Sequence, residues 1–239
     1  IVSFPNVSVS SVFSQDHSWT ASVSAERLRT IIVTGDVLLA RSVNAKSVRL
    51  NDFFWPFRET AKVLQTGDIT FINLETPLIS ECPLTNEGMI FCGDLRNVEG
   101  LKKSGIDVIN LANNHAGNYG VKGIQETATI LKRNGFTVSG LSGPVYVDVK
   151  GLEFAFLGYN DVTNQVGVAQ VRPEIIKKDI HEAKRKAAVV IVQYHWGQEY
   201  TDQATDRQRM FARQAIDEGA DVVIGNHPHW MQPIEVYKG

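Results

Sequence analysis

The sequence predicts an α/β protein whose strands are largely parallel and buried. Short β-branched runs recur as "TIIVTG", "DITFINL", "DVINLA", "TVSGL", "EFAFLGY", "AVVIVQY" and "DVVIGN", and helically spaced apolar residues lie between most of them. The runs are apolar almost throughout, as in strands covered on both faces. Glycines also stand where the helical stretches should stop.

The first element is the least regular. Residues 1–29 hold eight serines by position 24, scattered valines and almost no charge, which suits a linker, a docking tail or a short added edge strand. His17 lies in this stretch and is given no chemical role. From residue 30 onward a single domain is expected to run to residue 239. After the first strand, Phe57, Ala61 and Leu64 share a helical face that stops at Gly67. Val121, Ile124, Ala128 and Leu131 form a second face, ending at Gly135. "VYVDVKGLEFAFLGYN" departs from the rhythm and reads as an antiparallel hairpin turning at Lys150-Gly151. Two more helical faces follow, Ile176, Ile180 and Ala183, then Ala204, Phe211 and Ala215 before Gly219. The last segment, "QPIEVYKG", reads as a strand over Ile234–Tyr237 entering a turn. That strand is expected to have an open side, or to be covered by residues 1–29 or a neighbouring molecule, and the domain to continue past Gly239.

Composition narrows the function classes. Apolar content of 43% and charged content of 21% are ordinary for a globular domain. A net charge of -2 offers no electrostatic footprint for nucleic acid or an anionic membrane. No run approaches the ~18 apolar residues of a membrane span. The two cysteines, Cys82 and Cys92, flank a loop with Pro83, Asn86 and Gly88. A disulfide is preferred there over two free thiols, and it would place the protein outside the cytoplasm.

The chemistry collects after the strands. Asp36 follows the first, and Asn73-Leu74-Glu75 the second. Asn113-Asn114-His115 follows "VINLA", His195 closes "VVIVQY", and His227-Pro228-His229 follows "VVIGN". In an open α/β sheet the carboxyl ends of parallel strands share one edge, where ligands bind. Singly, each residue has a plain alternative: Asp36 as a helix cap, Glu75 at the surface, Asn113-Asn114 as turn residues, His195 as a packed core histidine between Tyr194 and Trp196. His227 and His229 alone read equally as ligands or as exposed turn residues. His181 reads as a solvated helix face. Jointly, carboxylate, amide and imidazole at five strand ends point to a metal. A mixed oxygen and nitrogen set without thiolate suits manganese, iron, zinc or cobalt, and its size suits two adjacent ions. Serine-nucleophile, phosphate-loop and dinucleotide motifs do not occur.

"TGDVLLAR", "GDITFINLETPL", "SGIDVINLANNHAGNYGVKGI", "YHWGQEY" and "GNHPHWMQPIEVY" together resemble the CapA-type poly-γ-glutamate capsule biosynthesis proteins, a branch of the calcineurin-like metallophosphoesterases. The resemblance runs from about Ile31 to the C-terminus. It implies a four-layer α/β/β/α sandwich of two mixed sheets. It implies Asp36 and His229 on a first metal, Glu75 (or, less favoured, Asn73) bridging, and Asn114, His195 and His227 on a second. His115 would be the acid that meets the leaving group, with Asn73, Asn113, Asn118 and Tyr119 supporting the ligands. Two departures stand out. The superfamily's Asp-x-His is here Asp36-Val37-Leu38, so the first metal loses an imidazole. Asn118 also stands where many members have Asp, which would orient His115 less firmly.

Two functions are carried forward. One is a metal-dependent hydrolase of the phosphoesterase type, acting outside the cytoplasm on a polymer or phosphoester linked to a cell-surface polyanion. The other is a non-catalytic accessory subunit that uses the old site to bind polymer or partners. For either, the resemblance implies membrane-bound capsule synthesis proteins as partners and allows a membrane anchor outside this chain.

Overall fold

The computed structural model describes residues 23–238. The described strands are β1 (Ile31–Val37), β2 (Ile69–Leu74), β3 (Leu78–Ile79), β4 (Gly93–Asp94), β5 (Val108–Asn110), β6 (Thr137–Ser139), β7 (Val145–Val149), β8 (Leu152–Asn160), β9 (Val189–His195) and β10 (Val222–Asn226). The α-helices are α1 (Arg41–Leu50), α2 (Ala61–Leu64), α3 (Asn97–Lys103), α4 (Gly120–Arg133), α5 (Pro173–Lys186) and α6 (Asp206–Asp217).

The strands form two main sheets, in the orders β1-β2-β5-β6 and β10-β9-β8-β7, with β3 and β4 pairing separately. Within the first sheet every pairing is parallel. The second is mixed, because β7 runs antiparallel to β8 while β8, β9 and β10 are parallel. The expectation of two mixed sheets is corrected to one parallel and one mixed. The reason is local: Lys150 and Gly151 both take positive φ, 52° and 79°, which a two-residue hairpin turn requires, and that is the hairpin within these sheets.

Three apolar clusters show the layering. Ile72, Leu74, Ile109 and Leu111 of the first sheet pack with Leu64, Leu101 and Leu131 of its helices. Leu157, Tyr159, Val190 and Val192 of the second pack with Ile176, Ile180, Phe211 and Ala215 of α5 and α6. Between the sheets lie Phe71, Val108, Phe154, Phe156 and Ile191. Side chains alternate across a strand, so each strand feeds both a helix-side layer and the inter-sheet layer. The result is helix, sheet, sheet, helix.

The inter-sheet layer changes character along the strands. Continuing by twos, Phe71 leads to Asn73, Val108 to Asn110, Phe156 to Gly158 and Asn160, and Ile191 to Gln193 and His195. The same face is thus apolar at the strand starts and polar at their carboxyl ends. β1 reaches it differently. Val33 pairs with Phe71 and Asp36 with Asn73, so β1 spends one residue more than β2 over this interval. This bulge shifts the parity and presents Asp36, rather than Gly35, beside Asn73.

Several elements depart from the sequence expectation. The helix around Phe57 and Leu64 is split into a 3-10 turn, Trp55–Phe57, and the short α2, with Pro56 at the start of the turn. The last helix begins at Asp206 rather than Ala204, because Thr205 and Gln208 form a reciprocal capping box. Residues 231–238 contain no strand. Sheet order leaves β10 at an edge, and this segment instead runs beside α6, through Arg213 to Glu235 (2.8 Å), Lys238 to Asp217, and Gln208 to Gln232 (3.0 Å). Of the N-terminal stretch, Arg29 binds the carbonyls of Val149 (2.8 Å) and Lys150. The edge-strand expectation and His17 lie mostly or wholly outside the described residues.

Asn110 sits in a niche that only glycine neighbours leave open. A Cβ at Gly158 would lie 1.9 Å from its Oδ1, and one at Gly140 2.2 Å. Because Asn110 is fully buried and bonded to Asn73, it cannot swing aside cheaply. Gly158→Ala is therefore expected to lower unfolding free energy by about 1–3 kcal/mol. A urea titration reading the parent's stability in that variant would show the niche to be soft.

Candidate metal centre

The polar ends of the two sheets meet at one place. Asp36 is anchored by Asn73, whose Nδ2 donates to its Oδ1 at 2.7 Å, and by the His227 backbone N–H, which donates to Oδ2 at 3.0 Å. Asn73 is fully employed: its Oδ1 accepts from Asn110 at 3.1 Å and Asn113 at 3.3 Å. Its amide is thus committed to neighbouring side chains, while Glu75 is the carboxylate that faces His195 at 3.4 Å. Asn113 shapes the next loop, with its Nδ2 on the Leu74 carbonyl and its Oδ1 accepting the N–H groups of His115 and Ala116.

His195 is fully buried at the centre. Its Nε2 faces Asn114 Oδ1 at 2.8 Å and Glu75 Oε1 at 3.4 Å, while its Nδ1 faces Asn73 and Asp36. His227 and His229 follow β10 with positive φ, 94° and 58°, a backbone state that non-glycine residues adopt only when the surroundings impose it. Both rings lie close to the other polar strand ends. The His195 and His227 ring centroids are 4.8 Å apart, those of His227 and His229 5.8 Å, and His229 Nδ1 lies 3.2 Å from Asp36 Oδ2.

Three overlapping groups each bring one donor atom per residue within 4.8 Å of the others: Glu75, His195 and His227; Asp36, Glu75 and His229; and Glu199, His227 and His229. Glu75 is common to the first two, and Asn114 Oδ1 lies 2.8 Å from His195 Nε2. Buried Nδ1 of His227 has no hydrogen-bond partner among the described residues. An orphaned nitrogen of this kind is costly in a folded interior and fits a ligand atom. Burial works to raise the Asp36 carboxyl, but His195, Asn73 and the His227 N–H outweigh it and hold the group at about 2. Burial opposes protonation of His195, and the nearby Asp36 and Glu75 overcome that and raise it. Burial, aided by the charge of His195, pushes His227 down to about 4. His227 is thus neutral at pH 7, the form of imidazole that coordinates metal.

His115 stands beside these groups rather than within them. Its Nδ1 lies 3.0 Å from Asn118 Oδ1, so the neutral amide does hold the ring. Phe91 stacks on the other side, with centroids 4.0 Å apart, and its N–H donates to the same Asn118 oxygen at 2.6 Å. Phe91 adjoins the Cys82–Cys92 disulfide, which Tyr119 OH approaches at 3.5 Å from Cys92 Sγ. Arg41 covers the outer face of Phe91, 5.1 Å from its centroid. Sequence reasoning missed Phe91, since nothing in its loop marks it. It also missed Asn110, Gln193, Asn226 and Glu199. The first three were signalled by polar residues inside otherwise apolar strands, and the last by its place four residues after His195.

The family model of the bacterial capsule synthesis protein PGA_cap matches residues 30–239. The chain belongs to the PGA_cap family. It is 34% identical over 86% of its length to the PGA biosynthesis protein CapA of Bacillus subtilis, and 30% identical over 87% to the capsule biosynthesis protein CapA of Bacillus anthracis. A probable polyglutamine synthesis accessory protein of Mycobacterium tuberculosis is 26% identical over 86%. The chain covers 58%, 56% and 62% of these PGA_cap relatives, a little over half their length. Among solved structures, a hypothetical protein from Thermus thermophilus matches with a TM-score of 0.52 at 17% identity, covering 83% of this chain and 68% of that one, which shows shared fold.

The disulfide closes a ten-residue separation and fixes the loop that carries Phe91. Replacing both cysteines by serine should cost about 2–3 kcal/mol of stability, the usual range for a short closed loop. It should also raise amide exchange across residues 83–91. Unchanged exchange there would mean that Phe91 and Asn118 hold the loop alone.

Proposed function

We propose that this chain is a metal-dependent hydrolase of the phosphoesterase type that serves the synthesis or export of a cell-surface polyanion such as poly-γ-glutamate capsule. The observation that carries the reading is the overlap of donor groups: Glu75 joins a carboxylate-rich set to an imidazole-rich one, as a bridging ligand between two ions must. The capsule link rests on the family and on the names of the Bacillus relatives. Divalent ions bound here, manganese, iron, zinc or cobalt, would supply Lewis acidity and an acidified water. Asp36, Glu75 and His229 would hold one ion; Glu75, Asn114, His195 and His227 would hold the other. His115, oriented by Asn118 and shielded by Phe91, would give its proton to the departing oxygen. The polymer or phosphoester substrate would enter from the exposed His229 side. The disulfide supports an extracytoplasmic location. Among the described residues no helix is long and apolar enough to cross a membrane; membrane-bound capsule synthesis proteins would be this chain's partners.

The accessory-subunit reading has its own support. Mycobacterial relatives carry "accessory" in their names, and Asp36-Val37-Leu38 provides one ligand where the superfamily pattern provides two. A chromogenic phosphodiester assay with added manganese separates the two. The hydrolase reading expects metal-dependent turnover that falls at least ~100-fold in His115→Ala, the low end for a lost general acid. Turnover no different from buffer, with poly-γ-glutamate still bound, would establish the accessory role instead.

A further inference from the structure

We infer that Glu199 is a metal ligand at the outer edge of this centre, sharing an ion with His227 and His229. This rests on the metal reading proposed above. Glu199 lies four residues beyond His195, on the loop leaving β9, and forms a donor group with His227 and His229. Its Oε1 is 4.0 Å from His229 Nε2. That distance is too long for a hydrogen bond. Two atoms bound to one ion at ~2.1 Å can stand up to roughly 4.2 Å apart, so the spacing suits a shared ion.

The loop is built to hold the carboxylate there. The N–H of Tyr200, the next residue, donates to the Pro228 carbonyl at 2.8 Å, and Pro228 stands between the two histidines. One backbone bond therefore fixes Glu199 relative to both His227 and His229. Tyr200 takes a left-handed φ of 58° to make it, and Gly197 packs so closely that a Cβ would meet Gln208 at 2.7 Å. On the far side Gln232 Nε2 donates to the Thr201 carbonyl at 3.1 Å. The histidine segment and the Glu199 loop thus behave as one unit. The unpartnered, buried Nδ1 of His227 lies in the residue common to this group and the inner one. Half-buried Glu199 retains the side-chain freedom to close the remaining gap.

Glu199 is half-buried and His229 exposed, so this outer group is more open to water than the buried Glu75, His195 and His227. The outer ion should then be the weaker.

Manganese binding to the whole chain, followed by equilibrium dialysis and electron paramagnetic resonance, tests this without reference to turnover. Glu199→Gln is expected to lose the parent's most weakly held ion, or to bind it at least tenfold less tightly. His195→Ala should lose the tighter ion instead. Thermal unfolding of Glu199→Gln at the parent's temperature would show that the fold is intact. Parent stoichiometry and affinities in Glu199→Gln would overturn the assignment while leaving the centre standing. A parent that binds no manganese, zinc, iron or cobalt would overturn the metal reading as well.

Discussion

Asn73 is the amide on which the rest of the centre depends. It is fully buried, and its bonds reach Asp36 on β1, Asn110 on β5, the Asn113 loop and His195 on the facing sheet. A buried amide left half-bonded would cost about 1–3 kcal/mol per orphaned atom, so this arrangement persists only if every partner stays in place. Two sheets that otherwise touch through Phe71, Phe156 and Ile191 are thereby held in register at their polar ends. Register is what brings a carboxylate from one sheet to imidazoles from the other.

The architecture explains why a site forms here. Parallel strands place all their carboxyl ends on one side, and two such sheets face to face double the number of ends that converge. The apolar half of the inter-sheet layer supplies cohesion, and the polar half supplies donors. The β1 bulge, the left-handed His227 and His229, and the glycine niche around Asn110 all lie in the polar half. Backbone irregularity at these points aims side chains that regular strands would turn elsewhere.

Much of this was legible in the sequence. Apolar runs such as "AVVIVQY" located the strands because burial on both faces removes polar residues, and the residue after each run located the centre. What stayed hidden depended on pairing. The bulge that aims Asp36 exists only relative to β2, and the stacking of Phe91 on His115 only once the disulfide loop has folded back. α1 and α3 were missed because their apolar residues are few and interrupted by Asn44, Ser47 and Gly100, whose burial is set by neighbours. The expected strand at Ile234–Tyr237 failed for a related reason. β-propensity gains nothing without a partner, and charged residues tie that segment to α6 instead. The nearness of Glu199 to His229 depends on the loop closing onto Pro228.

The most direct measurement is anomalous diffraction from crystals of this chain grown with manganese. The account predicts two peaks roughly 3.5–4 Å apart, the spacing of two-ion centres. Glu75 should lie between them, with His195 and His227 on one and Asp36 and His229 on the other. A manganese peak elsewhere on the surface, with His195 and His227 bound to no ion, would contradict it.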